Sequence, residues 1–535
     1  MRHWIWILLI TLGLQAQEAR IQILGTTDLH GHVRAEDTYS LQPMNQGWAK
    51  VTTLIRRQQA LNPNTLLVDC GDTLQGEPIN YVRNVLRRDL PEPSMAIMNA
   101  LGYAAMAVGN HDFDFGLPVL REAESEAKFP FLSANTVDAK GNPGFKTHTL
   151  VTVAGIRVAI LGFTTPGVPA MTEPRNYERL AFRDIVTVAR QLVPRVREQD
   201  RADVVIALMH SGLGALDGRE GDENAALRLA DQVPGLDAIF TGHTHQAISV
   251  EHKGIPIVQA QCFGRALAVV DLDLRQEEGR WKVVGRSERL LKPEDQTVSD
   301  PEVLRLTAEL QAATDRYLDT GATNLLVDLD SRWSRMEDTA LLQLIHQVQR
   351  QATGAQLSAA ACPGPKLYIP KGPTSVRQFF ALLPYENQVA KIRITGEQLK
   401  RYLEHSARHY LRSWDPALYN RDVPFYNFDT VDGVTYALDL GQPAGSRVLN
   451  LSCQGKPVKP EQSFTMAIST YRLRGGGGYM EAIGFRAAPE LITKATQRNL
   501  LLEYVLNHPS LDLAPANNWR TIPYLDRERV LNLAH

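Results

Sequence analysis

Five short apolar runs mark the first half of the chain, and each ends in polar side chains: ILGTTDLHGH, LLVDCGD, AMAVGNHDFDFG, VVIALMHSG and AIFTGHTH. Unbroken apolar runs of this length fit strands buried on both faces. From Arg20 to about Pro293 they alternate with helical patterns at Trp48 to Gln59, Ser94 to Leu101, Phe182 to Gln199 and Glu223 to Ala230. That alternation predicts an α/β domain with a largely parallel sheet covered by helices. Ile255–Gln261 and Ala266–Leu274 flank Cys262-Phe263-Gly264-Arg265 and read as an antiparallel return, and RQEEGRWKVVGRSERLL reads as a charged hairpin. Asp300 to Leu318 predicts one amphipathic helix, with Ser299 or Asp300 before Pro301 as its start. Beyond Thr323, helices (Asp338 to Gln351, Gly396 to Ala407) mix with strands (Gln388–Ile394, Gly433–Leu440, Arg447–Ser452, Phe464–Ser469), which predicts a second, α+β domain. The expected division is a leader at 1–16, an α/β domain at 20–295, a linker helix at 296–322 and an α+β domain at 323–535.

The polar ends of the five runs carry the chemistry. Strand C-termini of an open α/β sheet share one edge, where ligand sites form. The expected donors on that edge are Asp28, His30, Asp72, Asn110, His210, His243 and His245. Asp28 and His30 are two apart, as are His243 and His245, so at a strand end each pair points to one side. Taken singly, each has a plain explanation: Asp72 follows Gly71 in a turn-forming pair, and His210 ends an ordinary apolar strand. Five runs with the same strand-then-ligand pattern point instead to two divalent transition metals, for which imidazole and carboxylate suit Zn, Mn, Co or Fe. Asp72 is the natural bridging carboxylate. Two metals of this kind grip a phosphoryl group and generate a hydroxide nucleophile near neutral pH, so the chain reads as a metal-dependent phosphoesterase.

Composition narrows the setting. The 535 residues are 44% hydrophobic, enough for two domains, and the formal net charge is −2. There is no global basic field, so a nucleic-acid polymer is not the expected partner. Arg2 and His3, an apolar stretch from Trp4 to Leu14 and then Gln15-Ala16-Gln17 describe a secretory signal peptide cut after Ala16. The expected location is secreted or periplasmic, with no membrane span in the mature chain, because a span needs about 20 apolar residues. Four cysteines are not a disulfide scaffold. Cys70 reads as a small buried residue, and export permits a Cys362–Cys453 bond.

The motifs TTDLHGH, DCGDTLQG, GNHDFDFG, MHSG and GHTHQ resemble those of the calcineurin-like metallophosphoesterases. With PYENQVAKIRITGEQLKRYLEHSA, FYNFDTVDGVTYALDL and STYRLRGGGGY they resemble, more narrowly, the bacterial exported 5′-nucleotidase family over nearly all of the mature chain. The resemblance implies an αββα sandwich followed by a nucleotide-binding α+β domain. It implies one metal on Asp28, His30, Asp72 and His245, and a second on Asp72, Asn110, His210 and His243. His111 would pair with Asp114 as a catalytic dyad, leaving Asp112 and Phe113 as scaffold. The substrate would be a small nucleotide, its base held by aromatics: Tyr426 or Phe428, which would share a face in a strand, and Tyr471 beside the glycine loop 475–478. Asn387 is a further candidate for base or sugar contact. 5′-Nucleotidases carry a Gly-Gly-x-Arg stretch where this chain has Leu357-Ser358-Ala359-Ala360-Ala361, with Arg377 as candidate substitute for the phosphate-binding arginine. That departure looks more like the 2′,3′-cyclic-nucleotide 2′-phosphodiesterases that also act as 3′-nucleotidases. The alternatives are a 5′-nucleotidase or UDP-sugar hydrolase and, more remotely, a non-catalytic metal-stabilised nucleotide-binding protein.

Overall fold

The apolar runs become strands of two sheets, not one. The computed structural model describes residues 17–215, 223–364, 366–383 and 385–532, so the expected leader lies outside the described residues. The first sheet has six strands in the order Arg280–Leu291, Leu267–Glu277, Glu18–Thr26, Thr65–Asp69, Ala105–Ala107, Phe131–Leu132. The second runs Ala247–His252, Ile255–Ala260, Ala238–Thr241, Val204–His210, Ile156–Thr164, His148–Val153. Central strands pair in parallel in both. The antiparallel pairings are Glu18–Thr26 with Leu267–Glu277, the charged hairpin at one edge of the first sheet, and both outer pairs of the second sheet; the other edge strand of the first sheet, Phe131–Leu132, pairs in parallel. The ligand-bearing edge is therefore the shared rim of two stacked sheets.

Strand alternation explains the unbroken apolar runs. Ile21, Ile23 and Val68 of the first sheet meet Ile160, Ile206 and Phe240 of the second in the layer between the sheets. The alternate residues Leu24 and Leu67 face helices Gly47–Leu61, Pro93–Leu101 and Leu117–Glu126. Val205, Ala207 and Met209 face helices Ile185–Glu198 and Ala226–Gln232. Side chains alternate between faces along a strand, so burial on both faces favours apolar residues at successive positions. The result is the expected αββα sandwich.

The helix Pro301–Leu318 starts where the sequence signals it. Its N-cap is Asp300, whose carboxylate accepts from the N–H groups of Glu302 at 3.0 Å and Val303 at 3.2 Å. Val303, Leu310 and Ala313 pack on the first sheet's helices, and Leu318 sits in a separate cluster with Tyr81, Leu344, Phe379 and Leu501. One helix thus enters both cores. The C-terminal region is built on a five-stranded sheet in the order Asp429–Asp432, Leu357–Ala361, Ser463–Ser469, Gln388–Thr395, Leu491–Thr496. Helices Gly396–Ser406 and Ala340–Thr353 bury their apolar faces in its two flanking clusters.

Three local expectations need correction. Ile255–Ala260 and Leu267–Glu277 do not pair with each other; the turn at 261–266 carries the chain from one sheet to the other. Helix Ile185–Glu198 begins three residues later than the sequence suggests, because Asp184 caps it and Phe182 pairs with Thr136 in a short strand. Cys362 and Cys453 are free thiols, as are Cys70 and Cys262. The Sγ of Cys362 lies 3.1 Å from the Gly364 carbonyl, and that of Cys453 lies 3.6 Å from the Gly433 carbonyl. No described helix is long and apolar enough to cross a membrane.

The two sheets touch closely at Gly25. A Cβ there would stand 2.4 Å from Cδ1 of Phe240, which is 1% exposed. Gly25→Ala should overpack the layer between the sheets and cost about 1–3 kcal/mol. Denaturant unfolding should show a lower midpoint with an unchanged slope. A wild-type midpoint would mean the faces do not meet there.

Candidate metal centre and substrate cleft

All seven expected donors come together at the shared rim. Asp28 and His30 follow strand Glu18–Thr26, Asp72 follows Thr65–Asp69 and Asn110 follows Ala105–Ala107. From the second sheet, His210 ends its strand, and His243 and His245 follow Ala238–Thr241. Five of the seven have left-handed backbones: Asp28 (φ 50°), His30 (47°), Asp72 (58°), His243 (73°) and His245 (57°). Each such residue costs about 1–3 kcal/mol, and clusters of them gather where a site must be pre-shaped. Backbone bonds hold the strained turns in place. Asp28 N–H donates to the Gly71 carbonyl and His30 N–H to the Asp72 carbonyl, both at 2.9 Å. Asp112 accepts from four backbone N–H groups: Asp72 at 3.1 Å, Thr73 at 2.8 Å, Leu74 at 3.0 Å and Gly109 at 2.8 Å. That carboxylate ties the Asp72 turn to the Asn110 turn.

The outer nitrogen of each histidine fixes what the inner one can do. His30 Nδ1–H donates to the Gln75 carbonyl at 2.7 Å, which turns the Nε2 lone pair inward, 3.2 Å from His245 Nε2. His210 Nδ1–H donates to the Cys70 carbonyl at 2.7 Å, and its Nε2 faces Asn110 Oδ1 at 3.0 Å and Asp72 Oδ2 at 3.1 Å. His243 Nε2 pairs with Glu223 Oε1 at 2.8 Å, and its Nδ1 faces Asn110 Oδ1 at 3.0 Å. With the imidazoles neutral, acceptors face acceptors at several of these contacts, an arrangement that cations satisfy. Asp72 Oδ2 is buried without a hydrogen-bond partner and lies 3.7 Å from His30 Nε2, so it can reach both halves. Ligand atoms of Asp28, His30 and His245 lie within 4.8 Å of one another, as do those of Asp28, Asp72 and His210. The residues fit a centre for divalent cations.

Electrostatics agree. Burial lowers the His30 imidazole to about 4, which keeps it neutral. Burial also pulls down His210, but the carboxylates of Asp72 and Asp28 outweigh it and raise that imidazole to about 9. The centre favours positive charge.

His111 belongs to neither ligand group. Its Nδ1 lies 2.8 Å from Asp114 Oδ2, and its backbone N–H donates to Asp72 Oδ1 at 2.8 Å. Thr172 Oγ1 donates to Asp114 Oδ1 at 3.1 Å, and Asn176 Nδ2 donates to the Asp114 carbonyl at 2.7 Å. Burial lowers the His111 pKa, but Asp114 and then Asp72 reverse this and raise it to about 9. Its ring lies 5.5 Å from that of His30, beside the centre.

Residues 21–247 match the calcineurin-like phosphoesterase family, and residues 317–483 match the 5′-nucleotidase C-terminal domain. The chain thus joins a region similar to the calcineurin-like phosphoesterases to one similar to the 5′-nucleotidase C-terminal domain. It is 29% identical to the trifunctional nucleotide phosphoesterase protein YfkN of Bacillus subtilis, over 95% of this chain and 39% of that protein. It thus spans about two-fifths of YfkN. It is 28% identical to a 2′,3′-cyclic-nucleotide 2′-phosphodiesterase/3′-nucleotidase of Haemophilus influenzae, over 95% of this chain and 88% of that one. A solved Staphylococcus aureus structure, described as a 5′-nucleotidase, superposes with a TM-score of 0.82 at 22% identity, covering 94% of this chain and 100% of that one. That likeness speaks to the fold.

The 5′-nucleotidase C-terminal domain faces the phosphoesterase centre with tyrosines. Tyr385 is 56% exposed, and its ring stacks on His111 at 5.9 Å and 26°. Tyr426 is 52% exposed, and Tyr471 is half-buried. The crowded cleft desolvates the Tyr385 phenol and raises its pKa although the ring is open to solvent, and nearby Tyr426 and Tyr471 add to the shift, so the three belong to one cluster. Phe428 needs correction: it is 1% exposed and packs against His409, Tyr410 and Trp519. Phe425–Asn427 is a single 3-10 turn rather than a strand, so Tyr426 and Phe428 do not share a face. Arg377 also needs correction. It donates to Asp319 Oδ1 at 2.7 and 3.1 Å and to the Thr38 carbonyl at 2.7 Å, so it braces the end of the linker helix. Asn387 is half-buried just before strand Gln388–Thr395, and its carbonyl accepts from Gln497 N–H at 2.6 Å.

Two contributors carried little sequence signal. Tyr385 lies in PYENQ, where only its partner across the cleft gives it meaning, and Glu223 lies in an acidic loop with no ligand spacing. Removing the carboxylate behind a metal-binding imidazole costs about 10–100-fold in metal affinity. Glu223→Gln should therefore lose metal to a graded chelator at correspondingly lower chelator concentration, with the unfolding midpoint unchanged. Wild-type retention would mean that Glu223 does not orient His243.

Proposed function

We propose that the protein hydrolyses nucleotide phosphate esters at a centre of two divalent transition metals, with 2′,3′-cyclic nucleotides and 3′-nucleotides as preferred substrates. The observation that carries this reading is the placement of His111. It is held by Asp114 beside seven converging donors on one side and stacked on Tyr385 of the C-terminal domain on the other. Asp28, His30, Asp72 and His245 would hold one ion, and Asp72, Asn110, His210 and His243 the other. Zn, Mn, Co and Fe all suit this mix of imidazole, carboxylate and amide oxygen. When bound, such a pair neutralises phosphoryl charge and acidifies coordinated water.

The chain's own residues supply the rest. The Asp114 carboxylate orients the His111 ring and favours its protonated form, leaving Nε2–H to face the reacting phosphate. From there it stabilises phosphoryl charge and donates a proton to the departing ribose oxygen. Tyr426 and Tyr471 offer flat faces for the base, which leaves the ribose and phosphate to span the cleft.

The preference for the cyclic substrate rests on the two positions where a phosphate-binding guanidinium was expected. Ser358 turns into the domain, its Oγ 3.0 Å from His346 Nδ1, and its alanine neighbours bring no charge. Arg377 is committed to Asp319 and Thr38. A terminal phosphate carries about two charges near neutral pH, and a cyclic diester only one, so a site without the clamp loses less on the cyclic substrate. The Haemophilus influenzae relative bears the name of this activity. We also read the leader at residues 1–16 as directing export to the periplasm or medium.

His111→Ala should retain metal but lower turnover by about 10²–10⁴-fold. Metal loss in that variant would make His111 a ligand and remove the dyad. In a side-by-side assay, kcat/KM for 2′,3′-cyclic AMP and 3′-AMP should exceed that for 5′-AMP by at least about tenfold, or roughly 1.4 kcal/mol. A better rate on 5′-AMP or a UDP-sugar would replace this reading with the 5′-nucleotidase one.

A further inference from the structure

The side chain just after Tyr471 is a buried, fully bonded cation. Arg472 is 3% exposed, and its guanidinium makes five hydrogen bonds, as many as it has N–H groups. Nε and Nη2 bind the Asp429 carboxylate at 3.0 and 2.7 Å. Nη2 also donates to the Tyr426 carbonyl at 2.6 Å. Nη1 donates to Asn427 Oδ1 at 2.8 Å and to the Gly476 carbonyl at 3.2 Å.

These acceptors lie on the two segments that present the candidate base-stacking rings. The turn Phe425–Asn427 carries Tyr426, and the glycine loop backs Tyr471. A Cβ at Gly476 would stand 2.5 Å from the Tyr471 ring. A Cβ at Gly477 would stand 2.7 Å from Asn427 Oδ1 and 2.8 Å from Arg472 Nη1. Two glycines of this loop thus make room for Tyr471 and for the guanidinium and its partner.

We propose that Arg472 is the positioning residue of the nucleoside site, fixing the turn of Tyr426 against the loop of Tyr471 so that the two rings keep fixed relative places for a nucleobase. This rests on the reading of Tyr426 and Tyr471 as the base platform. Lysine cannot replace it, because an ammonium has three N–H groups and no planar fork to span a carboxylate and three further acceptors. The guanidinium touches neither the phosphate centre nor the dyad, so its loss falls on binding of the base and not on the chemical step.

The test compares Arg472→Lys with Tyr471→Ala and Tyr426→Ala on 2′,3′-cyclic AMP and on p-nitrophenyl phosphate, which has no base to stack. Arg472→Lys should raise KM for the nucleotide by about tenfold, the scale of one lost base stack. Its kcat/KM for p-nitrophenyl phosphate and its metal content should stay within about twofold of wild type. Adding Arg472→Lys to Tyr471→Ala should cost less than the two single effects combined, because both remove the same platform. If the tyrosine variants raise nucleotide KM and Arg472→Lys does not, the positioning role is wrong and the base platform stands. If neither tyrosine variant raises it, the platform reading falls and takes this proposal with it. Equal losses on both substrates would make Arg472 a purely structural residue. Should Arg472→Lys not fold, Asn427→Ala decides: it removes one of the five acceptors, and an unchanged nucleotide KM there overturns the proposal.

Discussion

Seven lone-pair-bearing atoms crowd together at the rim of the sandwich, and the rest of the first domain is arranged to tolerate that. Histidine nitrogens and carboxylate or amide oxygens stand 3.0–3.2 Å apart with no proton placed between several of them. Left alone, such atoms would repel and the turns that carry them would relax. The chain prevents this by fixing backbone rather than side chains. Left-handed residues aim the donors, and the buried Asp112 carboxylate collects four N–H groups from the two turns beside Asp72 and Asn110. Charge-assisted bonds of this kind are among the stronger ones available, and they act at a distance of one residue from the ligands. Strain and its restraint are therefore neighbours in sequence.

The second constraint is that a cleft between two domains needs both walls in register. Helix Pro301–Leu318 meets it by lending apolar residues to each core in turn. Arg377 fastens the helix's C-terminal end, through Asp319, to the Thr38 carbonyl of the first domain. The Arg474–Glu173 ion pair joins the glycine loop to the segment whose Thr172 steadies Asp114. Tyr385 completes the wall by stacking on His111. The dyad is thus gripped from both sides, although only one domain supplies it.

How much of this was legible depended on how local the signal was. The convergence of the seven candidate donors was readable because each follows its own apolar strand within a few residues, and the strand ends converge by the rules of parallel sheets. The number of sheets was not readable: alternation along a strand shows that both faces are buried, but not whether a helix or a second sheet covers them. The second domain was harder, because burial decides the role of an aromatic and sequence spacing does not report burial. Phe428 and Tyr426 look equivalent in FYNFD, yet one lies in the core and the other on the open face. Arg377 looked available as a phosphate clamp because its partners, Asp319 and Thr38, lie 58 and 339 residues away. Glu223 and Tyr385 were missed for the same reason, since each acts through one residue distant in sequence.

The two domains solve the same problem with opposite charges. Around the metal ligands an anion, Asp112, gathers backbone N–H groups. Around the tyrosines a cation, Arg472, gathers backbone carbonyls and an amide oxygen. The choice follows from what each site must receive. The rim is already rich in acceptors, and its turns leave N–H groups unpaired, so a buried carboxylate both satisfies those groups and adds to the negative field that draws cations. On the proposed function, the tyrosines would receive a flat, nearly neutral ring. There the charge of Arg472 is cancelled by Asp429 directly behind it, which leaves geometry rather than charge on display. A free arginine near the substrate would favour the more highly charged phosphate; an arginine spent on Asp429 and the backbone does not. On the proposed function, substrate preference would follow as much from where the arginines are bound as from which ones are missing.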